Sequence, residues 1–168
     1  MKYIKRFESI ITELNYSSKG LTSLPELPDT LKNLGCHHNK LRYLPELPTT
    51  LEELFCGDNE LKKLPTLPNT ITNLMIHHND LTELPDLPDS LINFSCGHNN
   101  LTEIPKLPNN LVYFLCDNNN LSELPEMPET VTQFSCKYNN LPYEDLNGYW
   151  DWFYDRNPER KQAKKFNL

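Results

Sequence analysis

The histidine residues of this 168-residue chain fall into two neighbouring columns when the sequence is written in rows of twenty from Leu21. The columns are His37 with His77, and His38 with His78 and His98. Asp58 stands in the second column. If successive rows form adjacent strands, Asp58, His78 and His98 lie about 4.8 Å apart from row to row. Nitrogen and oxygen ligands at this separation can hold a transition metal, so these three are the candidate metal ligands, although we expect no metal. The alternatives are a rim that titrates near neutral pH and an ordinary hydrated edge.

Five cysteines form a third column, in which Ile76 fills the remaining place. They are Cys36, Cys56, Cys96, Cys116 and Cys136. A zinc site needs four converging ligands, whereas this column spreads its thiols along a line, one per strand. Parallel Cβ directions keep neighbouring thiols too far apart for a disulfide, and both the odd count and the lack of an apolar signal segment favour reduced thiols. The column is therefore interpreted as core filling, because an apolar residue replaces cysteine at Ile76.

These columns arise because the chain is an internal repeat. Six rows of twenty residues align without a gap over residues 21–140, each with a variant of the spacing L-x-x-L-x-C-x-x-N-x-L. Twelve of the fourteen prolines stand at two fixed places in the row, first at Pro25 and Pro28. Proline fixes φ and removes a backbone donor, so the L-P-x-L-P segment predicts an extended, polyproline-II-like run instead of a helix.

Each row predicts one short strand followed by a turn. Leu34 and Cys36 are two residues apart, so both point inward from a strand at about 33–37. The Asn39 amide can bond backbone groups where the chain turns away, which makes a ladder when every row has an asparagine. The predicted fold class is an α/β, β-dominated right-handed solenoid with a parallel concave sheet, a polyproline-II-like convex side and a helical C-terminal cap.

The two ends differ from the repeats and predict caps. The expected division is an N-terminal cap, six repeats, and an aromatic C-terminal cap with a basic tail, at residues 1–20, 21–140 and 141–168. The N-terminal cap contains a degenerate strand near 13–17, preceded by a short helix or turn that uses Ile4, Phe7 and Ile10. In the C-terminal cap, Pro142 is expected to open a helix that covers the last apolar layer.

Apolar residues in the outward columns of the strands predict a binding surface on the concave side. Exposed aromatic groups on a polar background are typical binding anchors, and the alternative is ordinary cross-strand packing. The candidate partner-binding residues are Phe55, Met75, Tyr113 and Leu115 as anchors, with His37, His77 and Tyr138 on the rim. We find no nucleophile with its base, no phosphate loop and no paired acids, so no catalytic residue is predicted.

The charge of the repeats indicates the class of partner. Residues 21–140 hold 16 acidic and 7 basic side chains, a net charge of −9 against −7 for the whole chain. This favours a basic protein partner and argues against nucleic acid. No run of 18 apolar residues occurs, so no membrane span is expected. We also expect no cofactor, no small-molecule substrate and a monomer.

The row L-P-x-L-P-x-x-L-x-x-L-x-x-x-x-N-x-L resembles the shortest leucine-rich repeat class, found in bacterial type III effectors of the YopM and IpaH kind. It also resembles leucine-rich repeat proteins of giant DNA viruses, which better match the cysteine column and the segment 141–153. IpaH-type effectors carry a ubiquitin-ligase domain, whose C-x-D pattern Cys56-Gly-Asp58 matches literally. Only 28 residues follow the repeats here, and Cys56 belongs to the core column, so ligase activity is not expected.

The predicted function is a non-enzymatic module that binds a protein on its concave face, with the host-cell cytosol as the implied place of action. One alternative is metal-binding or pH-switched recognition through the histidine and aspartate rim. The other is a structural role, with assembly through the aromatic C-terminal segment around Trp150 and Trp152.

Overall fold

The computed structural model describes residues 10–161, so the cap segment expected to use Ile4 and Phe7 and the end of the basic tail lie outside the described residues. Within them, seven three-residue strands form one parallel sheet in chain order. The strands are β1 Glu13–Asn15, β2 Asn33–Gly35, β3 Glu53–Phe55, β4 Asn73–Met75, β5 Asn93–Ser95, β6 Tyr113–Leu115 and β7 Gln133–Ser135. Neighbouring strands pair residues twenty apart, such as Leu34 with Leu54. The predicted solenoid with a parallel sheet is confirmed.

Each strand is shorter than predicted, because the chain turns away through a residue in the left-handed region. In the first repeat the strand ends at Gly35, and His38 has φ of 54°. The same backbone conformation recurs in every row, at Ser18, His38, Asp58, His78, His98, Asn118 and Tyr138. Asn, Asp and His are the non-glycine residues most often found there. The second histidine column is therefore a turn column, whose residue types suit the backbone.

An asparagine ladder joins each turn of the solenoid to the preceding one. The Oδ1 atom of Asn99 accepts from the backbone N–H of Leu81 at 3.0 Å. Its Nδ2 group donates to the carbonyl groups of Ile76 and Cys96 at 3.1 and 3.0 Å, and to that of Gly97 at 3.3 Å. Equivalent bonds occur at all six positions, namely Asn39, Asn59, Asn79, Asn99, Asn119 and Asn139. One side chain thus satisfies buried backbone groups of two repeats.

A second, hydroxyl ladder lies where the chain approaches each strand. Thr50 donates its Oγ1 hydrogen towards the carbonyl groups of Asp29 and Leu31, both at 2.7 Å. Thr70 and Thr130 make the same contacts with the preceding repeat. Its signal in the sequence is a hydroxyl residue two positions after the second proline, in five of the six rows.

One apolar core runs along the inside of the sheet. In the first five repeats the strand centre, the residue three places before it and the cysteine position are buried, as at Leu51, Leu54 and Cys56, whereas the last strand centre, Phe134, is partly buried. In the later repeats a phenylalanine takes the strand centre, and the rings of Phe94 and Phe114 stack with centroids 5.6 Å apart. All five cysteines are buried and free, in agreement with a core-filling column.

The convex side is extended, and residues 21–140 contain no helix. Each L-P-x-L-P segment ends in a tight turn, in which the carbonyl group of the second proline accepts from the N–H three residues later. In the first repeat, Leu31 N donates to Pro28 O at 3.0 Å. This turn returns the chain to the next strand in few residues, which is why a twenty-residue repeat suffices.

The C-terminal cap contains helix α1, Leu146–Arg156. The expectation that Pro142 opens this helix is wrong, because Asp145 is the N-cap and accepts from Gly148 N at 2.8 Å. An aspartate side chain accepts a hydrogen bond from an otherwise unpaired N–H at a helix start. The proline side chain has no oxygen atom that could do so. Among residues 10–161, no helix has the length and apolar character needed to cross a membrane.

The cap covers both the open edge of the sheet and the last layer of the core. Cys136 N donates to Glu144 O at 3.2 Å, next to an antiparallel bridge between Ser135 and Asp145. The buried ring of Tyr149 packs on the core, and its hydroxyl oxygen accepts from Met127 N at 2.9 Å. The apolar surface of the aromatic segment is therefore largely used within the chain.

The ladder makes a testable prediction at Asn99. In Asn99→Ala the Leu81 N–H and the carbonyl groups that Asn99 serves lose a partner. Because an unsatisfied buried group costs about 1–3 kcal/mol, we expect the free energy of unfolding to fall by about 2–5 kcal/mol. Urea denaturation measures this. The matched control is Asn100→Ala, whose side chain is exposed, with an expected change within about 0.5 kcal/mol. Equal losses in both variants would contradict the role of the ladder.

Candidate functional site

The outward columns of the sheet bring the four predicted anchors onto the concave face. Phe55 pairs with Met75 across β3 and β4, and Ser95 then separates Met75 from Leu115 in the same column. Tyr113 lies two residues before Leu115 on β6 and so faces the same side. All four anchors are half-buried. Three strand intervals separate Phe55 from Leu115, so the apolar groups form an interrupted line roughly 14 Å long.

A chain of side-chain hydrogen bonds runs beside this apolar line. Asn93 Nδ2 donates to Asn73 Oδ1 at 2.5 Å, and Asn73 Nδ2 donates to Glu53 Oε1 at 2.6 Å. Both donors point towards Glu53, and hydrogen bonds to an ionised acceptor are stronger than neutral ones. The three side chains are thereby held in defined positions beside Phe55 and Met75. From the sequence, only the polar character of this column can be read.

The rim places Asp58 between histidines of the two neighbouring repeats. The Asp58 Oδ2 atom lies 3.5 Å from His38 Nδ1 and 3.7 Å from His77 Nε2. His77 reaches this place because its ring lies over Gly57, where a Cβ atom would stand 2.8 Å from Nε2. In the sequence, this contact is indicated by the alternation of histidine and glycine in one column, at His37, Gly57, His77 and Gly97. His37 packs edge-on against His38, with ring centroids 5.0 Å apart.

The structure does not bring the three candidate metal ligands together. His78 and His98 stack face to face, with ring centroids 3.9 Å apart and 12° between their planes. Stacked rings present their faces to each other, whereas a metal needs lone pairs that converge. Asp58 is directed at other histidines, and Asn118 Nδ2 lies 3.2 Å from His98 Nε2. Within residues 10–161, no group of three His, Cys, Asp or Glu side chains is placed to hold a metal ion.

The environment of His77 changes its protonation. Burial lowers the pKa of His77 from the ordinary histidine value, and the Asp58 carboxylate opposes this by raising it. Charge on His78, His38 or His98 lowers the pKa of His77 further. Because this pKa is lower in the folded than in the unfolded chain, His77 makes the fold less stable as the pH falls below the ordinary histidine value. Protonation of His77 therefore destabilises the fold in acid.

Three large exposed residues flank the sheet on its two sides. Tyr138, a predicted rim residue, is 75% exposed at the last left-handed position. At the opposite edge, Ile92 and Val112 are 39% and 38% exposed just before β5 and β6, and they are not among the predicted anchors. Val112 N donates to Ile92 O at 2.9 Å, which places the two residues next to each other. In the sequence, these two residues can be recognised because their column begins with the charged residues Lys32 and Glu52 and becomes apolar at Ile92 and Val112.

Four of the buried thiols lack the properties of a nucleophile. Burial raises the pKa of Cys136 to about 12 and raises the pKa of Cys96 and Cys116 as well. The pKa of Cys56 is raised by a hydrogen bond with Cys36 and by burial. Such thiols stay protonated near neutral pH, and it is the thiolate that attacks substrates and binds metals. The cysteine column therefore supports a structural role.

The rim geometry predicts the titration of His77. NMR titration of the histidine Cε1–H signals should place the His77 midpoint below the ordinary value of 6.5. Asp58→Asn should lower the midpoint further, because the carboxylate that favours the imidazolium is lost. Asparagine suits this backbone, since Asn118 holds the same left-handed position. The control Asp86→Asn removes an exposed charge on the convex side and should leave the midpoint unchanged. A rise in the Asp58→Asn variant would contradict the assigned contact.

Comparison with known proteins gives matches among solved structures only. Neither a protein-family model nor a curated protein matches the chain. YopM from Yersinia enterocolitica WA-314 is 36% identical with a TM-score of 0.76, over 80% of this chain and 30% of that chain. A Shigella effector leucine-rich repeat domain is 35% identical with a TM-score of 0.75, over 80% of this chain and 61% of that chain.

A third structure, the leucine-rich effector protein YopM from Yersinia pestis, is 31% identical with a TM-score of 0.71, over 82% of this chain and 46% of that chain. This chain thus spans between 30% and 61% of the length of the three structures. The predicted resemblance to effector repeats is confirmed, and the resemblance to giant-virus proteins stays a prediction. With its twenty-residue repeats and parallel sheet, the chain is a leucine-rich repeat protein, similar to the repeat domains of YopM and of the Shigella effector.

Proposed function

We propose that the chain is a non-enzymatic module that binds a protein partner on its concave face. The observation that carries the proposal is the line of half-buried apolar side chains, Phe55, Met75 and Leu115 with Tyr113 beside them. Large apolar side chains on a polar face are the usual anchors of protein interfaces. The similarity to effector repeat domains supports an interaction module over an enzyme.

The anchors stand on a rigid support, which favours recognition without rearrangement. The asparagine ladder bonds every repeat to its neighbour, and the chain from Asn93 through Asn73 to Glu53 fixes polar side chains beside the apolar line. Ordering these groups on binding therefore costs little conformational entropy, and more of the contact energy appears as affinity. A preorganised surface is the mechanism that we assign to this module.

The proposal includes a basic partner and a place of action. The repeats carry 16 acidic against 7 basic side chains, so a basic protein is attracted and oriented by the field of the array. The similarity to bacterial effector domains and the five free cysteines support a host-directed role in the cytosol of a host cell. We propose that the chain acts there as a monomer.

A second candidate function, pH-switched recognition, is favoured by the rim. Asp58 contacts His38 and His77, and His78 stacks on His98, all beside the concave face. Acidification adds positive charge to His77, which weakens the attraction for a basic partner. Assembly through the aromatic cap is less favoured, because Tyr149 is buried and Trp152 packs against the core of its own chain.

The proposed interface can be located by photo-crosslinking in a eukaryotic cell extract. A benzoylphenylalanine residue replaces Phe55 or Tyr113 in separate variants, and Tyr43 in the control. Tyr43 is an aromatic residue that is 61% exposed and lies outside the sheet. We expect the same partner to crosslink from Phe55 and from Tyr113 but not from Tyr43. Crosslinking from Tyr43 alone would place the interface elsewhere.

Truncation of the anchors gives the energetic test with the captured partner. Phe55→Ala combined with Tyr113→Ala should weaken binding by about thirtyfold or more, since truncation of one interface anchor costs about 2 kcal/mol. Tyr43→Ala is the control and should leave the dissociation constant unchanged. Circular dichroism and thermal unfolding check that the double variant keeps its fold. An unchanged dissociation constant in a folded double variant would remove these residues from the interface.

A further inference from the structure

The concave face has a notch at its N-terminal end where one side chain is missing. In the column that contains Phe55, the first repeat has Gly35, which pairs with Asn15 on β1 and with Phe55 on β3. The resulting cavity has a volume of about 260 Å³ and is lined by both neighbours and by Glu13, Asn33 and Glu53, among others. This volume is smaller than the roughly 300–1,000 Å³ of pockets that hold a whole small ligand. The cavity, which we call the Gly35 notch, therefore has room for one side chain of a partner.

The titratable groups in the lining of the notch are the carboxylates of Glu13 and Glu53 and the imidazole of His37. Glu13 and Glu53 belong to the same column, two strand intervals or roughly 10 Å apart. Within residues 10–161, neither carboxylate forms an ion pair, although other acidic residues of the repeats do. Within the same described range, the Oε1 atom of Glu53 accepts from the amide of Asn73 and from no other group. Lys19 is held at the Asn15 carbonyl group and does not line the notch.

Two further groups in the lining are available for hydrogen bonds or stacking. The Ser17 Oγ atom is buried and is one of two such side-chain atoms in residues 10–161 that lack a hydrogen-bond partner. It lies 3.3 Å from the point that a Cβ at Gly35 would occupy. On the opposite side, the half-buried Phe55 ring provides an apolar wall. The cavity thus combines an apolar wall, negative charge and an unsatisfied hydroxyl.

We propose that the Gly35 notch is a subsite for an arginine side chain of the protein partner, an inference that rests on the proposed concave interface. A guanidinium group is planar, stacks on aromatic rings and donates up to five hydrogen bonds, two of them to one carboxylate. Stacked on Phe55, it lies between Glu53 and Glu13, with the amide oxygen of Asn33 as a further acceptor. The notch thereby selects a basic partner through one residue, in addition to the general field of the repeats.

The test uses the purified chain and a small probe. Acetyl-Gly-Arg-Gly-amide is titrated into ¹⁵N-labelled protein while the backbone amide signals of Asn33, Gly35 and Phe55 are followed. The matched probe contains citrulline, which keeps the shape of arginine without its charge. We expect saturable shifts with the arginine peptide, about tenfold weaker binding of the citrulline peptide, and weaker binding at high salt.

Two variants address the notch itself. Glu53→Gln keeps the shape of the side chain and removes its charge, and Gly35→Leu fills the cavity with a residue that Leu115 shows to fit this column. Both should weaken binding of the arginine peptide by about tenfold. The control Glu103→Gln removes an exposed charge that lies outside the notch, and it should bind as the unaltered chain does.

Shifts that do not saturate, equal binding of the citrulline peptide, or equal losses in Glu53→Gln and Glu103→Gln would overturn the arginine subsite. Because Glu53→Gln leaves the cavity unfilled, this variant tests the arginine subsite even if Gly35→Leu disturbs the fold. These outcomes are separate from the proposed function. Crosslinks from Phe55 and Tyr113 in the absence of arginine binding would leave the concave interface standing, with another kind of residue in the notch.

Discussion

In a solenoid turn of twenty residues with a strand of only three, many buried backbone groups have no partner within the strands. The asparagine amide provides their hydrogen-bond partners. Asn79 donates to the carbonyl groups of Cys56 and Ile76 and accepts from Leu61 N–H, so one buried side chain joins two turns. Because six rows repeat this arrangement, every turn is held against the preceding one at the same place. The register of the sheet and the outward direction of the concave columns depend on this stacking, which extends from the first to the last repeat.

The same turn explains the rim. The residue before each asparagine has φ near 55°, a conformation that His, Asp and Asn adopt more readily than most residues. His38, Asp58 and His98 therefore satisfy a backbone requirement first, and their mutual contacts are a consequence of stacking. Tyr138 departs from this rule. A left-handed residue costs roughly 1–2 kcal/mol, and nothing in the structure explains why an exposed tyrosine takes this place.

The row alignment predicts which residues share a level of the solenoid, and it gives the strands, the core cysteines and the asparagine ladder. It cannot predict where a side chain points along its column. Asp58 meets His38 and His77, and not His78, because Gly57 leaves room for the ring of one neighbour. The row alignment also cannot predict that the helix starts at Asp145, since the C-terminal cap is not repeated and offers no second copy for comparison. The repetition therefore allows the fold to be predicted from the sequence, whereas the candidate site depends on the positions at which the rows differ.

Comparison of the rows with one another separates the columns that the fold requires from those that it leaves variable. The asparagine position is the same in all six repeats, because each copy has the same backbone groups to satisfy. The outward column holds Gly, Phe, Met, Ser, Leu and Ser in turn, although its backbone is alike in every row. In a solenoid each repeat contacts only its neighbours, so such changes affect stability locally and leave the array intact. The fold therefore places no common demand on this column. The abrupt step from Gly35 to Phe55 fits the recognition role that we propose for this column, because within residues 10–161 the carboxylates of Glu13 and Glu53 on either side form no ion pair.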